Sequence, residues 1–254
     1  MCLAIVAFRA HPRYPLIIAA NRDEFHARPT APAAWWPEGV LAGKDLQAGG
    51  TWLGCTRAGR FALLTNFREA GSRKTGVRSR GLLVNDVLLG PASPERALLT
   101  LLPAQRQYDG FNLLAGDAEA LVYLSNRGAS CRTLPPGVYG LSNHLLDTPW
   151  PKLHQTKARV IEWLEDGARD LETLFGHMRD PSRPEDHLLP STGLSLEWER
   201  LLGAAFIVSP SYGTRSTTLL RLDHRGEAEF VERCFGAAGE ILGDRRFTFS
   251  VDRE

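Results

Sequence analysis

The second residue, Cys2, is the first in the sequence that could act as a nucleophile. If the initiator methionine is removed, Cys2 carries both a thiol and a free α-amine. An α-amine has a reference pKa of about 7.7 to 8.0, so it can accept the thiol proton near neutral pH without a histidine. One residue would then supply nucleophile and general base. A cysteine within an apolar strand also packs as an ordinary core residue, and the residue type alone leaves both interpretations open.

A hairpin predicted at the start of the chain brings a charged cluster next to Cys2. Two apolar runs, residues 2–8 and 16–20, flank a segment in which two prolines remove backbone donors and favour a turn. Antiparallel pairing across this turn places Cys2 opposite Asp23, within a residue or two. The polar cluster of residues 21–24 is therefore expected beside the first residues of the chain.

Within this cluster, Arg22 and Asp23 have side chains that would serve a cysteine nucleophile. Charged residues seldom end an apolar strand inside a fold without partners, so a guanidinium and a carboxylate here indicate a site. An exposed salt bridge in a turn is the alternative. Because adjacent residues of a strand point to opposite faces, only one of the two is expected to reach Cys2. Asn21 and Asp23 share a face and form a second candidate pair.

Two asparagines, Asn66 and Asn143, follow predicted strand ends, where an amide or nearby N–H groups could hold a developing oxyanion. Ordinary turn formation is the alternative for both. Later in the chain, Tyr212 begins a segment of glycine, hydroxyl residues and Arg215. The guanidinium of Arg215 could bind a substrate carboxylate or phosphate. A surface strand of hydroxyl and β-branched residues accounts for this segment equally well.

Basic residues cluster locally just after Asn66. They are Arg68, Arg73, Lys74, Arg78 and Arg80. A solvated loop is the preferred interpretation of this cluster, with a phosphate-binding lip as the alternative. Over the whole chain, 30 Lys and Arg residues against 29 Asp and Glu residues give a formal charge of +1. This balance excludes a long-range field that would attract DNA, RNA or anionic lipid, so no nucleic-acid partner is expected.

The cysteines and the N-terminal segment indicate the compartment. The four cysteines are too widely scattered for a zinc motif or a disulfide framework: Cys2, Cys55, Cys131 and Cys234. No metal site is expected, and a reducing cytoplasm fits best. The chain starts without a charged leader, and the apolar run of residues 16–20 is far too short to cross a bilayer. Stable membrane insertion is therefore not expected.

The remaining pattern predicts one α+β domain over residues 1–254, built on antiparallel sheets. A second hairpin is predicted at residues 51–56 and 60–65. Helices are predicted at residues 81–89, 97–102, 152–166 and 171–178, and strands at 111–115, 121–125, 137–142, 205–209, 215–222, 229–234 and 246–251. Residues 28–37, rich in proline and alanine, are predicted to form a crossing between elements. Residues 180–196 are predicted to form a long surface loop that could cover a site.

Six short motifs occur in order in the chain: MCL at residues 1–3, NRDEF at 21–25, GGTWLG at 49–54, TNFR at 65–68, GLSN with DTPWPK at 140–152, and YGTRST at 212–217. Together they resemble the NRDE family, also called the transport and Golgi organisation 2 family. The resemblance implies a four-layer αββα fold of the N-terminal nucleophile hydrolase type, related in plan to penicillin V acylases and bile salt hydrolases. In those relatives, an N-terminal cysteine cleaves amide bonds.

The resemblance also implies roles for individual residues. By motif position, the implied catalytic residues are Cys2, Arg22, Asp23, Asn143 and Arg215. Residues of the same motifs that are candidates for substrate binding or for the oxyanion hole are Asn21, Asn66, Arg68 and Tyr212.

The implied reaction is acyl transfer, with hydrolysis of a non-peptide amide or thioester bond and no required cofactor. The family is also linked to haem trafficking and to acyl-CoA or lipid metabolism. A non-catalytic carrier of haem, acyl-CoA or another acyl compound is therefore the alternative expectation, and an interaction protein with an inactive site is a third. A hydrolase loses turnover on Cys2→Ala, whereas a carrier keeps its ligand affinity unless that thiol is the ligand.

Overall fold

Two antiparallel β-sheets, packed face to face, form the centre of the structure, a computed structural model that describes residues 2–71, 78–128 and 131–252. In spatial order, the strands of the first sheet are β10 (Gly137–Leu141), β1 (Cys2–Phe8), β2 (Leu16–Phe25), β11 (Tyr212–Leu222), β12 (Glu227–Phe235) and β13 (Ile241–Ser250). Those of the second sheet are β3 (Thr30–Trp35), β4 (Val40–Asp45), β5 (Leu53–Thr56), β6 (Phe61–Asn66), β7 (Phe111–Gly116), β8 (Leu121–Ser125) and β9 (Arg132–Thr133).

Helices cover the outer face of each sheet. The second sheet packs against α1 (Gly81–Leu89) and α2 (Pro94–Leu101), and the first sheet packs against α3 (Pro151–Glu165) and α4 (Leu171–Met178). A fifth helix, α5 (Leu196–Leu201), and two short 3₁₀ helices, Leu102–Gln107 and Asp186–Leu188, lie in the connections. Among the helices of the described ranges, none combines the length and hydrophobicity that crossing a membrane would require.

Three apolar clusters hold these layers together. Ile18 packs with Leu63 between the two sheets, whereas its neighbour Ile17 packs with Trp163 between the first sheet and its helices. Val84 belongs to the cluster between the second sheet and its helices. Because successive residues of β2 alternate between two buried faces, the strand is apolar throughout its first half. The predicted α+β architecture with four αββα layers is confirmed.

The N-terminal hairpin forms as predicted and fixes the position of Cys2. Cys2 lies directly opposite Arg22, one residue from the predicted partner Asp23 and within the stated tolerance. The strand continues beyond the apolar run to Phe25, because β11 pairs with its far end: Tyr212 lies opposite Phe25. The polar end of β2 is therefore held inside the sheet.

The predicted crossing at residues 28–37 contains β3, which pairs with β4 at the edge of the second sheet despite its proline. One local prediction is wrong: residues 205–209 form no strand. Ile207 instead exchanges hydrogen bonds with Thr214, from its amide to the hydroxyl and from the Thr214 amide to its carbonyl, both at 2.9 Å. Ala205, Phe206 and Ile207 are buried in an irregular connection, and a run of apolar residues does not distinguish such a connection from a strand.

The segment from Asp180 to Leu202, which we call the cover segment, is fastened to the sheets by a buried ion pair. Arg68 Nη1 lies 2.7 Å from Glu199 Oε2, and both side chains are almost wholly shielded from water. Burial lowers the pKa of Arg68, and Glu199 opposes that shift. The predicted long loop therefore contains a 3₁₀ helix and leads into α5, and its inner side is anchored.

Removing one partner of this pair should destabilise the protein strongly. Glu199→Gln leaves the Arg68 guanidinium buried without a counter-charge, and we expect a loss of about 3–5 kcal/mol in the free energy of unfolding. The measurement is urea unfolding followed by circular dichroism. The matched control is Asp186→Asn, which breaks the exposed pair with Arg200 and should change stability little. Equal effects of the two variants would contradict the assignment of the buried pair as the anchor.

Candidate functional site

A cleft of about 600 Å³ opens where β2 leaves the first sheet. Arg22 and Asp23 line it from β2, and Asn66 lines it from the end of β6. The backbone pairing of Cys2 with Arg22 therefore places the start of β1 beside this cleft. Antiparallel pairing alone brings the candidate nucleophile and the polar end of β2 to one end of the sandwich.

The guanidinium of Arg22 lies between the two sheets. It is 4% exposed, its Nη1 donates to Thr30 Oγ1 at 2.9 Å, and its Nη2 lies 3.9 Å from Asp45 Oδ2. Its Cζ sits 4.2 Å from the ring centroid of Trp52, close enough for a cation–π contact. Arg22 also acts electrostatically on Glu232, whose carboxylate is buried on the same side of the sheet. Residues of both sheets thus compensate one buried positive charge.

Asp23 points to the opposite face of β2, toward the helices, as strand alternation predicts. Its Oδ1 accepts a hydrogen bond from Thr214 Oγ1 at 2.7 Å, and its backbone carbonyl accepts one from the Tyr212 hydroxyl at 3.0 Å. Burial raises the pKa of the Asp23 carboxyl, and the charge of Lys152 opposes this rise. Such a carboxyl can hold or release a proton closer to neutral pH than an exposed one.

Asn21 shares the helix-side face with Asp23, but its amide is committed to the protein backbone. Its Nδ2 donates to the carbonyls of Met178 and Ala205, both at 2.8 Å. Its Oδ1 accepts from Thr217 Oγ1 at 2.6 Å. These bonds tie α4 and the irregular segment after α5 to the sheet, which gives Asn21 a positioning role.

The two asparagines singled out from the sequence meet in the structure. Asn143 Nδ2 donates to the backbone carbonyl of Asn66 at 3.0 Å, and the amide of Arg68 donates to the carbonyl of Asn143 at 2.6 Å. Asn143 is fully buried, whereas Asn66 is half-buried and lines the cleft. A primary amide has two N–H donors, so the bond to Asn66 leaves one for a second acceptor.

Arg68 and Arg215, the two other arginines predicted at the site, are not among the residues described as lining the cleft. Arg215 is the extra residue of a β-bulge in β11, and its Nη1 donates to the carbonyls of Phe25, His26 and Arg28 at 3.0, 3.3 and 3.2 Å. It therefore holds the turn between β2 and β3, while Arg68 holds the cover segment.

An aromatic wall, which the sequence did not predict, forms one side of the cleft. We define it as Phe25, Trp198 and Tyr212, whose ring centroids lie 5.0 to 6.3 Å apart in edge-to-face contacts. Tyr212 was predicted as a substrate-binding residue, and Phe25 stands in a recognised motif. Trp198 comes from the cover segment, where no local pattern marks it. The wall offers an apolar surface, since Phe25 is 44% exposed.

Part of the basic cluster also reaches the cleft. Arg78 and Arg80 line it, and Arg80 Nη1 donates to the carbonyl of Gly110 at 2.9 Å. The acidic side chains of Glu24 and Asp45 line the same cleft, so its rim carries both signs of charge. The positions of Arg73 and Lys74 lie outside the described residues.

Residues 1–237 match the family described as Transport and Golgi organisation 2. A "Transport and Golgi organization protein 2 homolog" from Bos taurus is 34% identical over 257 residues, which cover 91% of this chain and 92% of that protein. The homolog from Homo sapiens is 34% identical with the same coverage, and "Transport and Golgi organization protein 2" from Drosophila melanogaster is 27% identical over 91% of each chain.

Two solved structures are similar at low sequence identity. One is the "Caenorhabditis elegans N-acylethanolamine-hydrolyzing acid amidase (NAAA) ortholog", with a TM-score of 0.49, 13% identity, and coverage of 86% of this chain and 92% of that one. The other is the C2A mutant of the conjugated bile acid hydrolase from Clostridium perfringens, with a TM-score of 0.47, 10% identity, and coverage of 99% and 97%. From the family match and the relatives of 34% identity, the chain belongs to the Transport and Golgi organisation 2 family.

Proposed function

We propose that the chain is a hydrolase of non-peptide amide or thioester bonds in acyl compounds, with Cys2 as its N-terminal nucleophile. The observation that carries the proposal is the pairing of Cys2 with Arg22 at the edge of a cleft that Arg22 and Asp23 both line. A guanidinium beside a thiol favours the thiolate, which is the reactive form of cysteine. The proposal requires that Met1 is removed.

The proposed reaction has two steps. The Cys2 thiolate attacks the acyl carbonyl carbon, the bond from that carbon to nitrogen or sulfur breaks, and the leaving amine or thiol takes the proton that the α-amine had received from the thiol. Water then attacks the resulting thioester, which releases a carboxylic acid and restores the thiol. Asn143 is the proposed oxyanion donor through its second amide N–H, supported by the bond that fixes its first to Asn66.

The aromatic wall supports an acyl group as the part of the substrate that the cleft holds. Phe25, Trp198 and Tyr212 offer edges and faces of rings, and contacts with such surfaces stabilise apolar groups by excluding water. The polar groups at the end of β2 line the same cleft, next to the wall. An acyl compound with an apolar chain and a reactive carbonyl fits this combination.

The same wall favours the second candidate function, a carrier of acyl-CoA, lipid or haem without catalysis. An apolar surface in an open cleft binds a ligand whether or not a nucleophile is present. The two functions differ in their dependence on Cys2. A carrier keeps its affinity in Cys2→Ala, whereas a hydrolase keeps binding and loses turnover.

The first prediction from this proposed function concerns the removal of Met1 and the turnover of substrate together. Intact-mass measurement of the purified protein should show the loss of one methionine. Turnover of medium-chain acyl p-nitroanilides or acyl thioesters should fall by about a thousandfold or more in Cys2→Ala. Cys131→Ala is the matched control and should retain activity, because that half-buried residue is not among those described at the cleft. Retained Met1 in a protein that still turns over would overturn the mechanism.

The second prediction uses the pH dependence of thiol alkylation to separate Cys2 from the core cysteines. Burial raises the pKa of Cys234 to about 12 and raises that of Cys55 further. Because only the thiolate reacts, roughly one Cys234 thiol in ten thousand is ionised and reactive at about pH 8. The alkylation rate of Cys234 should therefore increase tenfold per pH unit, with no plateau below about pH 11.

The measurement for this prediction is iodoacetamide labelling followed by peptide mass spectrometry at several pH values. Labelling at Cys2 should be faster than at Cys55 and Cys234 near neutral pH and should reach its plateau at a lower pH. A Cys2 that labels as slowly as Cys234 would count against a thiolate at the cleft.

A further inference from the structure

A second cavity, which we call the inter-sheet pocket, lies between the sheets beside the cleft. Its volume is about 360 Å³, within the range of small-ligand pockets. Trp52 lines both the pocket and the cleft, so its indole stands between them. A methyl group added at Gly43 would lie 2.4 Å from the Trp52 ring and 3.1 Å from Glu232 Oε2. Because Gly43 has no side chain, the indole of Trp52 and the carboxylate of Glu232 can approach each other in this space.

The inner end of the inter-sheet pocket is formed by buried polar side chains of the first sheet. Glu232 is 1% exposed and Ser216 is 4% exposed, and both line the pocket. Glu232 Oε1 accepts from the Ala33 amide at 2.6 Å and lies 3.9 Å from Cys234 Sγ, whereas the one bond to Oε2 from the described part of the chain is a long one of 3.4 Å from Thr218 Oγ1. The Ser216 hydroxyl approaches the carboxylate but makes no well-formed hydrogen bond within the described residues.

The carboxylate of Glu232 is incompletely compensated by its surroundings. Burial raises its pKa, although Arg22 and the nearby amide and hydroxyls oppose the rise. A buried carboxylate that accepts few short hydrogen bonds gains from a cationic donor placed beside it. An ammonium group in the pocket, with several N–H donors, could bond to Glu232 and to the Ser216 oxygen together.

We call the more exposed part of the lining the outer end of the pocket, and it carries positive charge. Arg215 is half-buried there, and Arg245 is exposed and lies directly opposite Glu232 in the strand pairing. The acidic residue at this end, Asp244, is bound by two guanidinium nitrogens of Arg233 at 2.9 and 2.8 Å, and the same guanidinium also binds Glu172. Arg215 is fixed by three backbone carbonyls, and these bonds leave its charge uncancelled. An anionic group at this end would meet two cations.

We propose that the inter-sheet pocket binds a small zwitterion of the amino acid type, with its ammonium group at Glu232 and Ser216 and its carboxylate at Arg215 and Arg245. The lining combines the buried carboxylate of Glu232 with two guanidinium groups that lie closer to solvent, which a compound of single charge cannot match. The pocket is distinct from the cleft because Trp52 lies between them, and the proposal does not depend on catalysis by Cys2.

The test is isothermal titration of the full-length chain with four small probes. Glycine and L-serine carry both charges, ethanolamine lacks the carboxylate, and propionate lacks the ammonium group. We expect both zwitterions to bind about tenfold or more tightly than either single-charge probe. Absence of saturable binding by the zwitterions up to high millimolar concentration would overturn the proposal, as would equal binding by all four probes.

Substitutions of residues that line the inter-sheet pocket test whether the zwitterion binds there. Glu232→Gln keeps the side-chain shape and an acceptor for the Ala33 amide, and it should weaken serine binding about tenfold or more. Arg245→Gln should weaken it to a lesser degree, because that side chain is exposed. The matched control is Arg246→Gln: Arg246 pairs with Glu229 and is not among the residues described at the pocket.

If Glu232→Gln fails to fold, Ser216→Ala replaces it, with circular dichroism as the check on folding. Unchanged serine affinity in a folded variant at either position would place the ligand elsewhere and refute the assignment. Gly43→Ala tests the shared wall, because the added methyl must displace the Trp52 ring or the Glu232 carboxylate. It should weaken serine binding by several-fold or more, and an unchanged affinity would contradict the proposed inner end of the pocket.

Discussion

The buried guanidinium of Arg22 is the interaction on which the end of the sandwich depends. A charge removed from water must be compensated, and here the compensation comes from both sheets. Thr30 and Asp45 belong to the second sheet, Glu232 belongs to the first, and the indole of Trp52 covers the cation. These contacts bring the ends of several strands to one place. The cleft and the inter-sheet pocket lie beside this charge and share the Trp52 ring.

The sequence predicted the parts of the site that follow from short-range rules. Two prolines set the turn of the first hairpin, and Cys2, predicted opposite Asp23 within a residue or two, lies opposite Arg22. The period of two along a strand correctly put Arg22 and Asp23 on opposite faces. The same rule put Asn21 on the face of Asp23, although the backbone partners of Asn21 could not be read from any local pattern.

The parts that escaped prediction depend on contacts between distant segments. Glu199 anchors the cover segment through Arg68, which is 131 positions earlier, and the neighbouring Trp198 contacts Phe25 in the aromatic wall. Arg68 was a candidate for substrate binding or for the oxyanion hole, and in the structure it forms the ion pair that fixes the cover segment. The sequence does contain a pattern that marks Glu232: it occupies an inward position of β12 between Phe230 and Cys234, where an apolar residue is usual. A buried acid at such a position indicates a partner or a ligand.

The β-bulge at Arg215 has a consequence for how the chain can vary. Thr214 pairs with Asp23 and Ser216 pairs with Arg22, so the single extra residue sends these two hydroxyls to opposite faces of the sheet. One hydroxyl serves the carboxyl on the helix side, and the other lines the pocket between the sheets. Loss or gain of one residue here would exchange the faces of everything that follows in the strand. This stretch can therefore accept changes of side chain far more readily than changes of length, and related sequences should align across it without gaps.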